Sequence, residues 1–166
     1  MNREHLIRTV SWFQAKPRRL SMLKILNICC TGFTYAAFAA VLVWLAITGN
    51  PMIIRLILTC GVSFVVLSVF RHFFNWPRPY EVYGIPPLVE KKTHGHSFPS
   101  RHVFSICVIG TSLLFILPAL GILLFALGIL LAAVRVLSGV HFLRDVLIGA
   151  VIGIFSGLIG FWMPGI

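Results

Sequence analysis

The sequence predicts an all-α membrane protein: a bundle of five transmembrane helices preceded by an N-terminal amphipathic interfacial helix. Three observations carry that expectation. Of the 166 residues, 58% are hydrophobic and only 11% are charged, too little charge to cover the surface of a soluble domain of this length. The apolar residues come in blocks of roughly 20, the length of helix that crosses a hydrocarbon core. Turn signals and one long polar segment separate the blocks, so a single membrane domain accounts for the apolar part of the chain.

Residues 1–24 read as an amphipathic basic segment. Leu6, Ile7, Val10 and Phe13 fall on one side of a helix and His5, Arg8 and Lys16 on the other, with Trp12 near headgroup depth. A disordered basic tail is the alternative; the apolar core and cleavage pattern of a signal peptide are missing. Pro17 and the Arg18–Arg19 pair close the segment. The transmembrane domain, 25–166, opens with a span over about 25–47 that stops at Gly49–Asn50–Pro51. A second span covers about 52–70, with Arg55 close enough to its start to snorkel. Residues 71–99 form a polar loop with Pro77, Pro79, Pro86, Pro87, Pro99, Lys91 and Lys92. The third span covers about 100–117, and Pro118 separates it from the fourth, about 119–137. Ser138–Gly139 makes a short turn before the fifth, about 140–163. There Gly149, Gly153 and Gly157 recur every four residues, which lets another helix approach closely, within the monomer or in a homodimer.

Charge is lopsided, with 14 Lys plus Arg against 4 Asp plus Glu. Cytoplasmic loops are enriched in Lys and Arg for topological reasons, and anionic lipid headgroups or phosphates are the functional counterpart. Nucleic acid is not an expected partner, because most of the surface would face lipid. Cys29, Cys30, Cys60 and Cys107 all lie in apolar blocks, which fits small packing residues rather than a disulfide framework or a zinc site.

The residues that carry chemistry gather by the parity of the crossings. Two spans precede the 71–99 loop and two more lie between it and the Ser138–Gly139 turn, so both sit on one membrane face. His141 and Asp145, four apart, would stack on one side of a helix. Asp145, the one aspartate in the chain, would then fix the imidazole tautomer and leave the other nitrogen free to attack an electrophile. A buried polar pair that only joins two helices is the alternative. Ser100 is a good N-cap for the third span, and the N–H groups beyond it form an anion site facing His102. Arg71, Arg78 and Arg135 offer planar forks suited to phosphate oxygens, or they are topological anchors.

Together these pieces resemble the type 2 phosphatidic acid phosphatase family, the membrane lipid phosphate phosphatases. That family shows Lys-x6-Arg-Pro, Pro-Ser-Gly-His and Ser-Arg-x5-His-x3-Asp. This chain reads Arg71-x6-Arg78-Pro79, Pro99-Ser100-Arg101-His102 and Val134-Arg135-x5-His141-x3-Asp145. The resemblance implies that His141 is the nucleophile forming a phosphohistidine, oriented by Asp145, and that His102 is the general acid and later the base. Arg71, Arg78, Arg135, Ser100 and Arg101 would bind phosphate. It implies no cofactor and no metal, and one Asp with three Glu cannot assemble a two-metal carboxylate cluster. His72, His94 and His96 lack ligand spacing and read as loop or entrance residues. Arg71 stands for the family's lysine, Val134 for its serine and Arg101 for its glycine. Arg101 would add a fourth cation to the site or point outward to anionic lipid.

The expected function is hydrolysis of a lipid phosphomonoester or diphosphate, of the phosphatidic acid, phosphatidylglycerophosphate or undecaprenyl diphosphate class. A catalytically impaired scaffold that binds lipid phosphate is the rival. The partners implied are the lipid phosphate substrate and membrane lipids. Every Lys and Arg but Arg55 falls on the motif-bearing face, so the positive-inside bias places the active site on the cytoplasmic face of a cell membrane.

Overall fold

The computed structural model describes residues 2–89 and 94–162. Lys91 and Lys92 of the polar loop, and Met163 at the expected end of the fifth span, lie outside the described residues. Among the described residues seven helices run in order: α1 (Arg3–Gln14), α2 (Pro17–Ile47), α3 (Met52–Phe73), α4 (Pro79–Tyr83), α5 (Arg101–Leu114), α6 (Pro118–Leu137) and α7 (Leu143–Trp162). No strand occurs among the described residues. Four of the helices, α2, α3, α6 and α7, are long and apolar enough to cross a membrane. The all-α membrane bundle is therefore as expected.

The third expected span differs from the other four. Its helix, α5, has 14 residues, about 21 Å at 1.5 Å per residue, short of a hydrocarbon core roughly 30 Å thick. It can be short because protein rather than lipid surrounds it. Val103 to Leu113 are all buried, with α2, α3, α6 and α7 packed around them. The outer helices instead present Ile47, Ile129 and Trp162, each at least 76% exposed, as lipid-facing residues do.

The packing of α7 on α5 is set by the glycine stripe. A Cβ on Gly149 would sit 2.7 Å from the Ser100 carbonyl oxygen, and one on Gly153 2.6 Å from that of Phe104. On Gly157 it would meet Thr111 Cβ at 2.6 Å. The stripe is buried inside the monomer against α5, which corrects its alternative use as a homodimer face: no surface remains there for a second copy.

Two expectations at the N-terminus also change. Pro17 opens α2 at its first turn, where its fixed φ suits a helix start and its missing N–H costs nothing. The boundary placed at residue 24 therefore falls inside a continuous helix. The amphipathic helix α1 forms as expected, capped by Asn2 Oδ1 accepting from the His5 N–H at 3.0 Å. Its apolar side is docked on the bundle, however: Leu6 and Val10 pack with Leu23, Leu88 and Val134. Ile7 and Trp12 stay exposed, with the Arg19 guanidinium 3.8 Å over the Trp12 ring.

Gly153→Ala should destabilise the bundle by about 1–3 kcal/mol through overpacking, read as a lower melting temperature in detergent. Gly32→Ala, whose Cβ would meet nothing within 4 Å, should not lower it. Equal effects would remove the stripe as the determinant of α5–α7 packing.

Candidate active site

The site forms where the 75–100 loop closes over the α6–α7 turn. Leu88 N–H donates to the Ser138 carbonyl at 3.1 Å, and Ser100 N–H to the Asp145 carbonyl at 2.9 Å. The two polar stretches that the crossing parity predicts to share a face are thus joined directly. A tight fold at Gly95 (φ +63°) makes the closure possible, since a Cβ there would overlap Asn75 Oδ1 at 2.0 Å. Asn75 Oδ1 accepts the next N–H, that of His96, at 2.8 Å.

Two of the predicted phosphate forks hold this loop. Arg71, in the last turn of α3, donates from Nη1 to the carbonyls of Ser97 at 3.2 Å and of Pro99, and from Nη2 to that of His96. Arg78 donates from Nε to Gly95 O at 3.0 Å, from Nη1 to Val140 O at 2.9 Å, and from Nη2 to His96 O at 3.2 Å. Both are at most 4% exposed, and carbonyl dipoles take the place of water around their charge. Each commits three of its donors to carbonyls and keeps others of the five for a ligand. With Arg101, His72, His96 and Ser68 they line a cavity of about 210 Å³. Arg101, an exposed residue, also borders the cavity.

His141 and Asp145 meet, but not as stacked residues of one helix. His141 lies in the turn before α7, and Asp145 in its first turn. Asp145 Oδ2 accepts from the Phe142 N–H at 3.0 Å, the reach-back of an acid at N3 to the N-cap. The same Oδ2 lies 3.6 Å from His141 Nδ1 and accepts from Ser97 Oγ at 2.5 Å. The other imidazole nitrogen, Nε2, is 3.4 Å from Arg78 Nη1. Burial, with the charges of Arg135 and Arg78, pushes the His141 pKa down to about 3 against the opposing pull of Asp145. A neutral ring with Nδ1 on the carboxylate side has its Nε2 lone pair available as a nucleophile.

His102 and Arg135 form a second cluster beside the first. Arg135 Nη2 lies 2.5 Å from His102 Nδ1, which accepts when the ring is neutral. Arg135 Nη1 donates to Asn27 Oδ1 at 3.1 Å. Ser100 occupies the N-cap of α5, but its hydroxyl makes no cap hydrogen bond. That hydroxyl is fully buried and has no partner among the described residues.

Sequence reasoning overlooked Ser97, Glu81 and Asn27. Glu81 Oε2 accepts from the Arg78 N–H at 2.6 Å and Oε1 from the Gly95 N–H at 2.8 Å. Although burial opposes it, these bonds and His94 hold the Glu81 carboxyl below its usual range. A signal existed for each: an acid three residues after a helix-opening Arg78-Pro79, a hydroxyl two residues before Pro99, and an amide within an apolar span. Among the described residues, no group of three or more His, Cys, Asp or Glu is placed to hold a metal ion.

The fold and site define a multi-pass membrane protein with a buried histidine–carboxylate pair beside an arginine-lined cavity. The family model described as the PAP2 superfamily matches residues 52–165, so the chain belongs to that superfamily. Among solved structures it is similar to Aquifex aeolicus LpxE, with 27% identity and a TM-score of 0.66 over 90% of this chain and 96% of that one. It also shares the fold of the first transmembrane PAP2 type phosphatidylglycerolphosphate phosphatase from Bacillus subtilis, at 19% identity and a TM-score of 0.63, covering 95% of this chain and 91% of that one. No curated protein matches the sequence significantly.

Arg71→Met should release the loop. Hydrogen bonds to a charged group contribute about 1.5–3 kcal/mol, so exchange of the Ser97 amide, bonded to the Trp76 carbonyl, should accelerate at least about tenfold. Unchanged protection there would show that the loop is held by other means.

Proposed function

We propose that the chain is a metal-independent phosphatase that hydrolyses a lipid phosphomonoester or diphosphate through a phosphohistidine. The observation that carries this reading is the buried His141, with Nδ1 3.6 Å from Asp145 Oδ2 and Nε2 3.4 Å from Nη1 of Arg78, which lines the cavity. In the first step His141 Nε2 attacks phosphorus as the bond to the leaving oxygen, of the lipid alcohol or the lipid monophosphate, breaks, and that oxygen takes a proton from His102, which enters the step as the imidazolium and leaves it neutral. In the second, water gives a proton back to His102 and displaces His141, releasing inorganic phosphate. Arg71, Arg78, Arg101 and Arg135 stabilise the equatorial oxygens, and Ser100, with the first N–H groups of α5, completes the cradle. The chain has one Asp and three Glu, which fits chemistry run by arginines and histidines rather than by paired metals.

The rival, a scaffold that binds lipid phosphate without turnover, has one observation in its favour: Arg71 and Arg78 already donate to loop carbonyls. Phosphate release in detergent micelles separates the two. At least one of phosphatidic acid, phosphatidylglycerophosphate and undecaprenyl diphosphate should be hydrolysed, with activity kept in EDTA. His141→Ala should lower kcat by at least about a thousandfold, as loss of a nucleophile does. No release from any of the three would favour the scaffold, and release abolished by EDTA would break the metal-free mechanism.

The basic residues of α1 and the start of α2 share the site's end of the bundle, which supports a cytoplasmic active site. A His94→Cys probe, at a side chain 90% exposed, should resist a membrane-impermeant thiol reagent in intact cells and react after permeabilisation. Rapid labelling of intact cells would reverse the orientation.

A further inference from the structure

The arginine-lined cavity extends beyond the groups that the proposed reaction uses. Ser68, His72 and His96 complete its lining beside Arg71, Arg78 and Arg101, around a volume of about 210 Å³. His102, Arg135 and His141 do not line it. Arg78 is the shared boundary, since its Nη1 also lies 3.4 Å from His141 Nε2. A phosphoryl group within reach of that nitrogen therefore sits at one edge of the cavity and leaves the rest open. With a water taking up roughly 30 Å³ of liquid, the open part has room for a further phosphate-sized group.

Ser68 sets this cavity apart from the packed interior. A buried hydroxyl in an apolar helix normally bonds to a carbonyl one turn back, as Thr34 does to Cys30 at 2.7 Å and Ser112 to Val108 at 2.8 Å. Ser68 Oγ is buried and has no partner among the described residues. An unpaired buried polar atom on a cavity calls for a ligand or water to satisfy it. His72 follows four residues later on the same side of α3, its ring stacked on that of His96 with centroids 6.2 Å apart. Among the described residues the lining is thus three guanidinium groups, two imidazoles and a hydroxyl, with no carboxylate. That set offers donors and positive charge, which suits an oxyanion and repels a cation. Ser68 and His72 also border an apolar stretch of α3 formed by Phe64, Val65, Val69 and Phe73. From His141 outward the order is Arg78, the cavity, Ser68 with His72, then hydrocarbon.

We propose that Ser68 and His72, sharing Arg71, Arg78 and Arg101 with the cradle, form a second oxyanion site beside the reacting phosphoryl group. The inference rests on the phosphatase reading above for what lies at His141. Ser68 Oγ–H and the His72 ring donate to the anion's oxygens, and the guanidinium groups offset its charge. The ligand is a phosphate-type anion from one of two sources. It is either the inner phosphate of a lipid diphosphate, whose chain then runs over the apolar stretch of α3, or a separate inorganic phosphate.

Binding to the full chain in detergent micelles, parent against the Ser68→Ala/His72→Ala double variant, tests the site without turnover. Calorimetry with methylenediphosphonate, an uncleavable diphosphate, and with inorganic phosphate separates the two sources. For the inner phosphate of a diphosphate, the variant should bind methylenediphosphonate at least about tenfold more weakly and phosphate within about twofold of the parent, the scale of lost hydrogen bonds to a charged group. For a separate phosphate, the parent should take two phosphates per chain and the variant one. Either result supports the site. A loss shared equally by both probes at one phosphate per chain puts Ser68 and His72 in a single cradle and overturns it, as does no loss with either probe. Because the Ser68 hydroxyl is unpartnered and His72 is exposed, the variant should melt with the parent in ligand-free detergent; if it melts lower, Ser68→Ala alone is judged by the same criteria. Neither probe is turned over, so the result is independent of the phosphatase reading, which fails only if no lipid releases phosphate.

Discussion

The close approach of α5 and α7 is the constraint from which the site's geometry follows. With hydrogen in place of a side chain at Gly149, the first turn of α7 lies against the Ser100 backbone. The Ser100 N–H then reaches the Asp145 carbonyl. That single bond brings the start of the helix bearing His102 to the start of the helix bearing Asp145. A larger side chain at either of the first two stripe positions would press on a carbonyl oxygen, which cannot move without breaking a helix turn. The distance between the two histidine clusters is thus set by backbone contact rather than by flexible side chains.

Charge at the membrane edge adds a second constraint. Arg71, Arg78 and Arg135 are almost entirely removed from solvent, and the buried acid among them is Asp145. An isolated buried guanidinium is costly, so the fold surrounds Arg71 and Arg78 with carbonyls of residues 95–99 and 140. The same bonds that lower the cost of burial also shape the loop. Glu81 fixes the loop's other edge by taking the Arg78 and Gly95 N–H groups. The arginines and the loop are therefore one hydrogen-bonded unit, in which the charges order the loop and the loop shields the charges.

What the sequence made legible was what depends on short-range pattern. Apolar blocks of membrane length gave the α2, α3, α6 and α7 spans to within a few residues outside the N-terminal part of α2, and the crossing parity brought Arg71, His102 and His141 to one end. The places where it misled depend on packing. The third apolar block carries Ser105, Thr111 and Ser112, but hydroxyls bonded to their own helix also occur in lipid-facing spans, so these residues alone do not announce a short, protein-enclosed α5. The four-residue spacing of His141 and Asp145 suggested a helix face, whereas the turn at Ser138–Gly139 leaves His141 ahead of α7. Ser97 and Asn27 meet their partners, Asp145 and Arg135, across 48 and 108 residues of chain. No local pattern reports pairings that distant.

The balance of charge in the finished site bears on what it is built to receive. Arg71, Arg78, Arg101 and Arg135 approach one another, and among the described residues the carboxylates beside them are Asp145 and, next to Arg78, Glu81. His141 responds to the same field: with two guanidinium groups near and almost no water, its ring stays neutral. A cation in the site would compound the repulsion, and a neutral ligand would leave it in place. An anionic ligand would relieve it. The gathering of guanidinium groups thus suits the site to an anionic ligand.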